Sequence, residues 1–138
     1  MFDLDQFMPY RLTRAGQDAS QALADRYAKA YGLTVSQWRV LAHLSKKPGI
    51  SVNELGLAAG LDRVSTSRAC SALQKQGWVN KVTDDNDKRL LVIELTPEGQ
   101  QQWEALAQLA LQAEEDYLSA LSQPERQTLM ALLTKLAR

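Results

Sequence analysis

The stretch SVNELGLAAGLDRVSTSRACSALQKQG, residues 51–77, decides how this chain is read. Ser51 is followed three residues later by Glu54, the spacing of a capping box: the hydroxyl accepts from a backbone N–H and the carboxylate reaches back. The short helix that starts there carries Leu55 and Ala58 as its apolar positions and stops at Gly60. Asp62 caps a second helix, which runs to about residue 76 with Gly77 as its stop. Along it Thr66, Ala69, Cys70 and Leu73 fall at i, i+3, i+4 and i+7, a single buried face. Arg63, Ser65, Ser67, Arg68, Ser71 and Lys75 are assigned to the opposite face. Two helices joined by Gly60-Leu61-Asp62 describe a helix-turn-helix, whose second helix enters a DNA major groove with its N-terminal residues leading.

The next eighteen residues strengthen that reading. Residues 78–83 (WVNKVT) and 90–95 (LLVIEL) are two strands around the polar tip Asp84-Asp85-Asn86-Asp87-Lys88-Arg89. A hairpin directly after a helix-turn-helix is a wing. Arg89 and Lys88 at its base are placed to reach phosphates or a minor groove, whose negative potential attracts arginine. Asp87, as a carboxylate, is repelled by phosphate and is read as the residue that orients Arg89 and closes the turn. The candidate DNA-binding set is therefore Ser51, Arg63, Ser65, Ser67, Arg68, Ser71, Lys88 and Arg89. The arginines suit phosphates or guanine edges, and the serines are short enough to let the helix approach closely. The competing reading is a solvated polar face with a merely soluble turn.

Working outward, Thr34 with Gln37 and Ser122 with Glu125 are two further capping boxes. A long helix from Pro9 to the stop at Gly32 carries Leu12, Ala15, Ala19, Leu23, Tyr27 and Ala30 as one stripe. Thr96-Pro97 opens another long helix, to about residue 121. Its Trp103, Leu106, Leu111, Tyr117 and Leu118 make an apolar surface too broad for one small lobe to cover, the mark of an interface. The fold expected is mostly α with a small β-hairpin: a winged helix-turn-helix over residues 34–95, on a helical dimerisation scaffold formed by 1–33 and 96–138. Charge is divided in the same way. The 138-residue chain is neutral overall, yet residues 34–95 carry +3 and residues 96–138 carry −3, as expected of a nucleic-acid module on a separate scaffold.

Several function classes are excluded. No apolar run reaches the ~18 residues of a membrane span, so a cytoplasmic protein without membrane contact is expected. The single cysteine, Cys70, cannot form an internal disulfide, and with the single histidine, His43, it makes neither a metal site nor a supported nucleophile–base pair. No phosphate-binding glycine loop is present, so no enzyme, cofactor or metal is expected.

Residues 33–99 resemble the MarR family of bacterial transcriptional regulators. The matching pieces are Leu33-Thr34 with Trp38 and Leu41, Leu61-Asp62-Arg63, Leu73-Gln74-Lys75-Gln76-Gly77-Trp78-Val79, the wing Asp87-Lys88-Arg89, and Leu95-Thr96-Pro97-Glu98-Gly99. Lys88 stands where the family usually has arginine, and Ala69-Cys70 is smaller than the usual aliphatic pair. The resemblance implies a homodimer on double-stranded DNA with an inverted-repeat operator. It also implies a repressor whose affinity falls when a small aromatic or phenolic acid binds between scaffold and winged helix. Tyr10, Arg11, Arg14 and Trp38 are the candidate ligand-binding residues, rings for a ring and guanidinium groups for a carboxylate. Some relatives sense oxidants through a cysteine in the first helix; this one has none there, and Cys70 falls on a core face. The alternative function is a dimeric winged-helix interaction module that does not bind DNA.

Overall fold

The computed structural model describes residues 1–138, in the order α1 (Met8–Tyr31), α2 (Val35–Lys46), β1 (Ile50–Ser51), α3 (Val52–Ala59), α4 (Arg63–Lys75), β2 (Val79–Thr83), β3 (Leu91–Leu95), α5 (Pro97–Tyr117) and α6 (Gln123–Leu136), with a 3-10 turn at Leu4–Gln6 before them. Mostly helical with one small sheet, this is the expected fold class. Helix α1 begins one residue before Pro9, at Met8, with Phe7 as its extended N-cap. Proline is tolerated at the second position for the same reason as at the first: that N–H has no helical partner either. Gly32 ends α1 with φ 66°, a conformation open to glycine.

Two of the three capping boxes close. Gln37 N–H donates to Thr34 Oγ1 at 3.2 Å while Thr34 N–H donates to Gln37 Oε1 at 3.1 Å. Ser122 and Glu125 do the same at 3.3 and 2.8 Å. At α3 only half forms: Glu54 N–H donates to Ser51 Oγ at 3.2 Å, but the Glu54 carboxylate turns out to Lys47 Nζ at 3.5 Å.

The sheet has three strands in the order β1-β3-β2, all antiparallel, where a two-stranded hairpin was expected. Ile50 pairs with Ile93 and Ser51 with Val92. Two residues are too few to show alternation, so only the pairing reveals β1 as a strand.

The core of the winged helix gathers Leu41, Leu44, Leu55, Cys70, Leu73, Val79 and Ile93. The inward face of α4 is Thr66, Ala69, Cys70 and Leu73, as the spacing predicts. Helix α3 differs: it buries Leu55, Gly56 and Ala59, while Ala58 is exposed and Leu57 stands 85% exposed. Gly56 explains the rotation. A Cβ there would lie 2.9 Å from Thr66 Oγ1, so α3 meets α4 through the glycine.

The junction between wing and scaffold is equally close. Thr96 Oγ1 donates to the Gly77 carbonyl at 2.6 Å and accepts from Gly99 N–H at 3.0 Å. A Cβ on Gly99 would sit 1.9 Å from the Trp78 carbonyl oxygen. The Leu-Thr-x-x-Gly signal is thus the place where α5 lies directly on the backbone leading into β2.

Helix α5 packs along α1, held by Tyr117 Oη donating to the Ala15 carbonyl at 3.1 Å and by an Arg26–Asp116 ion pair. It ends at Tyr117, four residues before the expected 121. Arg126 binds the turn that follows: Nη2 donates to Leu118 O at 2.9 Å and Nε to Leu121 O at 3.2 Å, while Nη1 donates to the Glu115 carboxylate at 2.7 Å. Helix α6 buries nothing and leaves Leu129, Met130, Leu132, Leu133 and Leu136 exposed. No helix is long and apolar enough to cross a membrane.

Candidate nucleic-acid interface

Helix α4 starts at a charged cap. Asp62 accepts from Ser65 N–H at 2.7 Å and from the Ser65 hydroxyl at 3.0 Å. The Ser65 N–H, foremost among these donors, holds the carboxyl below the ordinary aspartate range. Thr66 Oγ1 donates to the Asp62 carbonyl at 2.7 Å, which turns its hydroxyl inward and leaves nothing unsatisfied.

From that start the helix presents Ser67, Arg68, Ser71 and Lys75 to solvent, with Arg63 exposed at its first position. Neither Arg63 nor Arg68 joins any of the ion pairs of the chain, so both cations are free to meet phosphate or a base edge. Arg63 lies to one side, lining a dent between α3 and α4 with Asn53, Leu57 and Leu61.

Two sequence assignments change. Ser51 is only 9% exposed and its hydroxyl serves as the α3 cap, so it leaves the DNA-facing set. Ser65 stands at the side of the face, half-buried, with its hydroxyl donated to Asp62. A further residue was missed. At ~100° per residue, Val64 lies almost opposite Thr66, at the centre of the outward surface. Its position four before Arg68 and seven before Ser71 was the available signal.

The wing is built on acidic turns. Asp84 accepts from Asn86 N–H at 3.2 Å and Asp87 N–H at 2.9 Å, and its own N–H donates to the Leu90 carbonyl at 2.9 Å. Asp87 then accepts from Arg89 twice through one oxygen, from the backbone N–H and from Nε, each at 3.1 Å. The Arg89 guanidinium holds the Asp87 carboxyl below its ordinary range. With its side chain 92% exposed, Arg89 is held at the base of the wing yet open to solvent, and Lys88 is exposed beside it.

The four candidate ligand residues are not brought together. Trp38 lines an apolar groove of about 550 Å³ between α1, α5 and α6, stacked on Trp103 at 5.1 Å and on Tyr27 at 5.8 Å. Tyr10, Arg11 and Arg14 are not among its lining residues; Tyr10 is half-buried and both arginines are exposed. The only charged residues on the groove are Glu114 and Arg126. A helix stripe tells which residues share a face, not which cavity they border.

Residues 31–90, which hold the helix-turn-helix and most of the wing, match the model of the MarR family. A crystal structure described as a probable transcriptional regulator from Pseudomonas aeruginosa is 30% identical, covering 98% of this chain and 100% of that one, with a TM-score of 0.83. This chain belongs to the MarR family. A MarR-family regulator from Silicibacter pomeroyi is 29% identical over 97% of this chain and 90% of its own, with a TM-score of 0.81. The homoprotocatechuate degradative operon repressor of Escherichia coli is 30% identical over 84 residues, 61% of this chain and 57% of that protein. As a MarR-family member the chain is a DNA-binding transcriptional regulator and not an enzyme.

Proposed function

We propose that the chain acts in the cytoplasm as a homodimeric repressor, which binds an inverted-repeat operator and is released by a small aromatic or phenolic acid. The observation that carries the DNA-binding part is the presence of two exposed cationic features: the α4 helix with Arg63 and Arg68, which join no ion pair, and the wing with Arg89, braced by Asp87 but open to solvent. The exposed apolar faces of α1, α5 and α6 support dimerisation through residues 1–33 and 96–138, leaving 34–95 as the DNA-binding unit. Two recognition helices on one side of such a dimer would enter successive major grooves, about 34 Å or 10 base pairs apart.

Repression and the class of effector are supported by the Escherichia coli relative, whose name ties it to repression of an aromatic-acid degradation operon. On this chain Trp38, held in place by stacking on Tyr27 and Trp103, offers ring surface to the groove. An effector would therefore seat against Trp38 rather than on the full set Tyr10, Arg11, Arg14 and Trp38.

The test is a gel shift with the DNA upstream of the chain's own gene against an unrelated duplex of equal length. Retardation of the upstream DNA alone, relieved by an aromatic acid, is expected. Absent retardation of both duplexes would leave the protein-interaction module as the better reading, and equal retardation of both would show DNA binding without the operator specificity proposed. Arg68→Ala tests the contact itself: a base-edge role loses about 1–3 kcal/mol on the operator alone, whereas a phosphate role weakens all duplexes alike and flattens the salt slope.

A further inference from the structure

Val64 is a branched apolar side chain held in water at the centre of the surface assigned to DNA. It is 58% exposed, and it is neither part of the hydrophobic core nor among the hydrophobic residues packed against it. It occupies the second position of α4, the end that leads into a major groove. Valine there does nothing for the helix, since β-branching lowers helix propensity relative to alanine. Its neighbours one and two turns on, Arg68 and Ser71, are polar and exposed, and Arg63 precedes it.

We propose that Val64 is a specificity-determining residue that reads thymine, packing its methyl groups against the 5-methyl group in the major groove. The inference rests on the DNA-binding reading and goes beyond it by naming a base. Valine has no donor or acceptor, so it cannot match the hydrogen-bonding atoms of guanine, adenine or cytosine. The one apolar group on the major-groove edges of the four base pairs is the thymine methyl. Arg63 and Arg68 on either side supply the charge that draws the backbone in, and the short Ser67 and Ser71 let the helix come close enough for van der Waals contact.

The experiment selects a duplex from a randomised library with the wild-type protein at fixed salt, then replaces its thymines with uracil one at a time. Uracil removes the methyl group and nothing else. At one position in each half-site, wild-type affinity is expected to fall roughly fourfold, the effect of one methyl group withdrawn from burial. Val64→Ala, verified as folded by its melting curve, should bind the thymine and uracil duplexes alike. Wild-type indifference to uracil at every position overturns the proposal, and so does an undiminished uracil effect in Val64→Ala. Failure to enrich any duplex overturns the DNA-binding reading and this one with it. A change in particle mass on Val64→Ala, with no change in thymine dependence, assigns the face to a protein contact instead and also overturns it.

Discussion

Gly99 carries the sharpest constraint on a single residue in this chain. Its α-carbon lies so close to the Trp78 carbonyl that no Cβ fits, and the obstacle is backbone, which cannot rotate away. Gly99→Ala should destabilise the protein by about 1–3 kcal/mol or more, read as a lower urea midpoint with an unchanged m-value. An unchanged midpoint would mean that α5 does not touch the β2 approach. Tyr27 is the opposite case. Its ring is 1% exposed and stacked on Trp38, but its hydroxyl finds no partner, so the ring stabilises and the oxygen opposes burial. Tyr27→Phe keeps the ring and should raise stability by about 1 kcal/mol. A loss of stability in a thermal melt would show that the phenol is hydrogen-bonded in solution.

The wing is an element whose function depends on one internal contact. Arg89→Ala should weaken operator binding roughly tenfold, the ~1.5 kcal/mol of a charge-assisted contact, and most where A·T-rich flanks narrow the minor groove. Arg89→Lys should fall between, because ammonium is more strongly hydrated than guanidinium. Equal affinity of wild type and Arg89→Ala in the same titration would remove the wing from the interface. Asp87→Asn keeps the turn acceptor but removes the charge, so it should loosen Arg89 without abolishing binding. The pH dependence has a definite sign. The Asp87 carboxyl sits below its ordinary range in the folded chain, so the contact is present throughout the neutral range and is lost as pH falls through that lowered value. Wing-dependent affinity should therefore be flat from pH 6 to 8, as measured by fluorescence anisotropy.

For the whole molecule the unburied apolar faces set the expectation. Helix α6 contributes no residue to the core, yet Met130 is 63% and Leu133 42% exposed on the groove shared with Leu12, Leu111 and Tyr117. Sedimentation of the intact chain should give twice the 15.4 kDa of one copy. Met130→Glu, which places a charge on that face, should shift the mass toward one copy and weaken operator binding together. A 15.4 kDa particle from the intact protein would refute the dimer.

The sequence by itself determined the features that depend on neighbours within a turn of helix. Thr34–Gln37, Asp62–Ser65 and Ser122–Glu125 are contacts over three residues, and the Thr66, Ala69, Cys70 and Leu73 face comes from helical period alone. The wing was legible because two apolar runs flank a polar tip, and Asp87–Arg89 because the partners lie two residues apart. Tertiary structure alone decided the rest. Strand β1 exists only because β3, more than forty residues later, offers it partners. Gly56 rotates α3 because Thr66 stands against it, Arg126 ends α5 from the following helix, and Ser51 leaves the DNA face because it is covered. The groove obeys the same rule: Trp38 borders it and Tyr10, Arg11 and Arg14 do not, since a cavity is bounded by whichever helices pack around it. Periodicity fixes the direction of a side chain from its own helix axis; what that side chain meets is settled by chain segments far away in sequence.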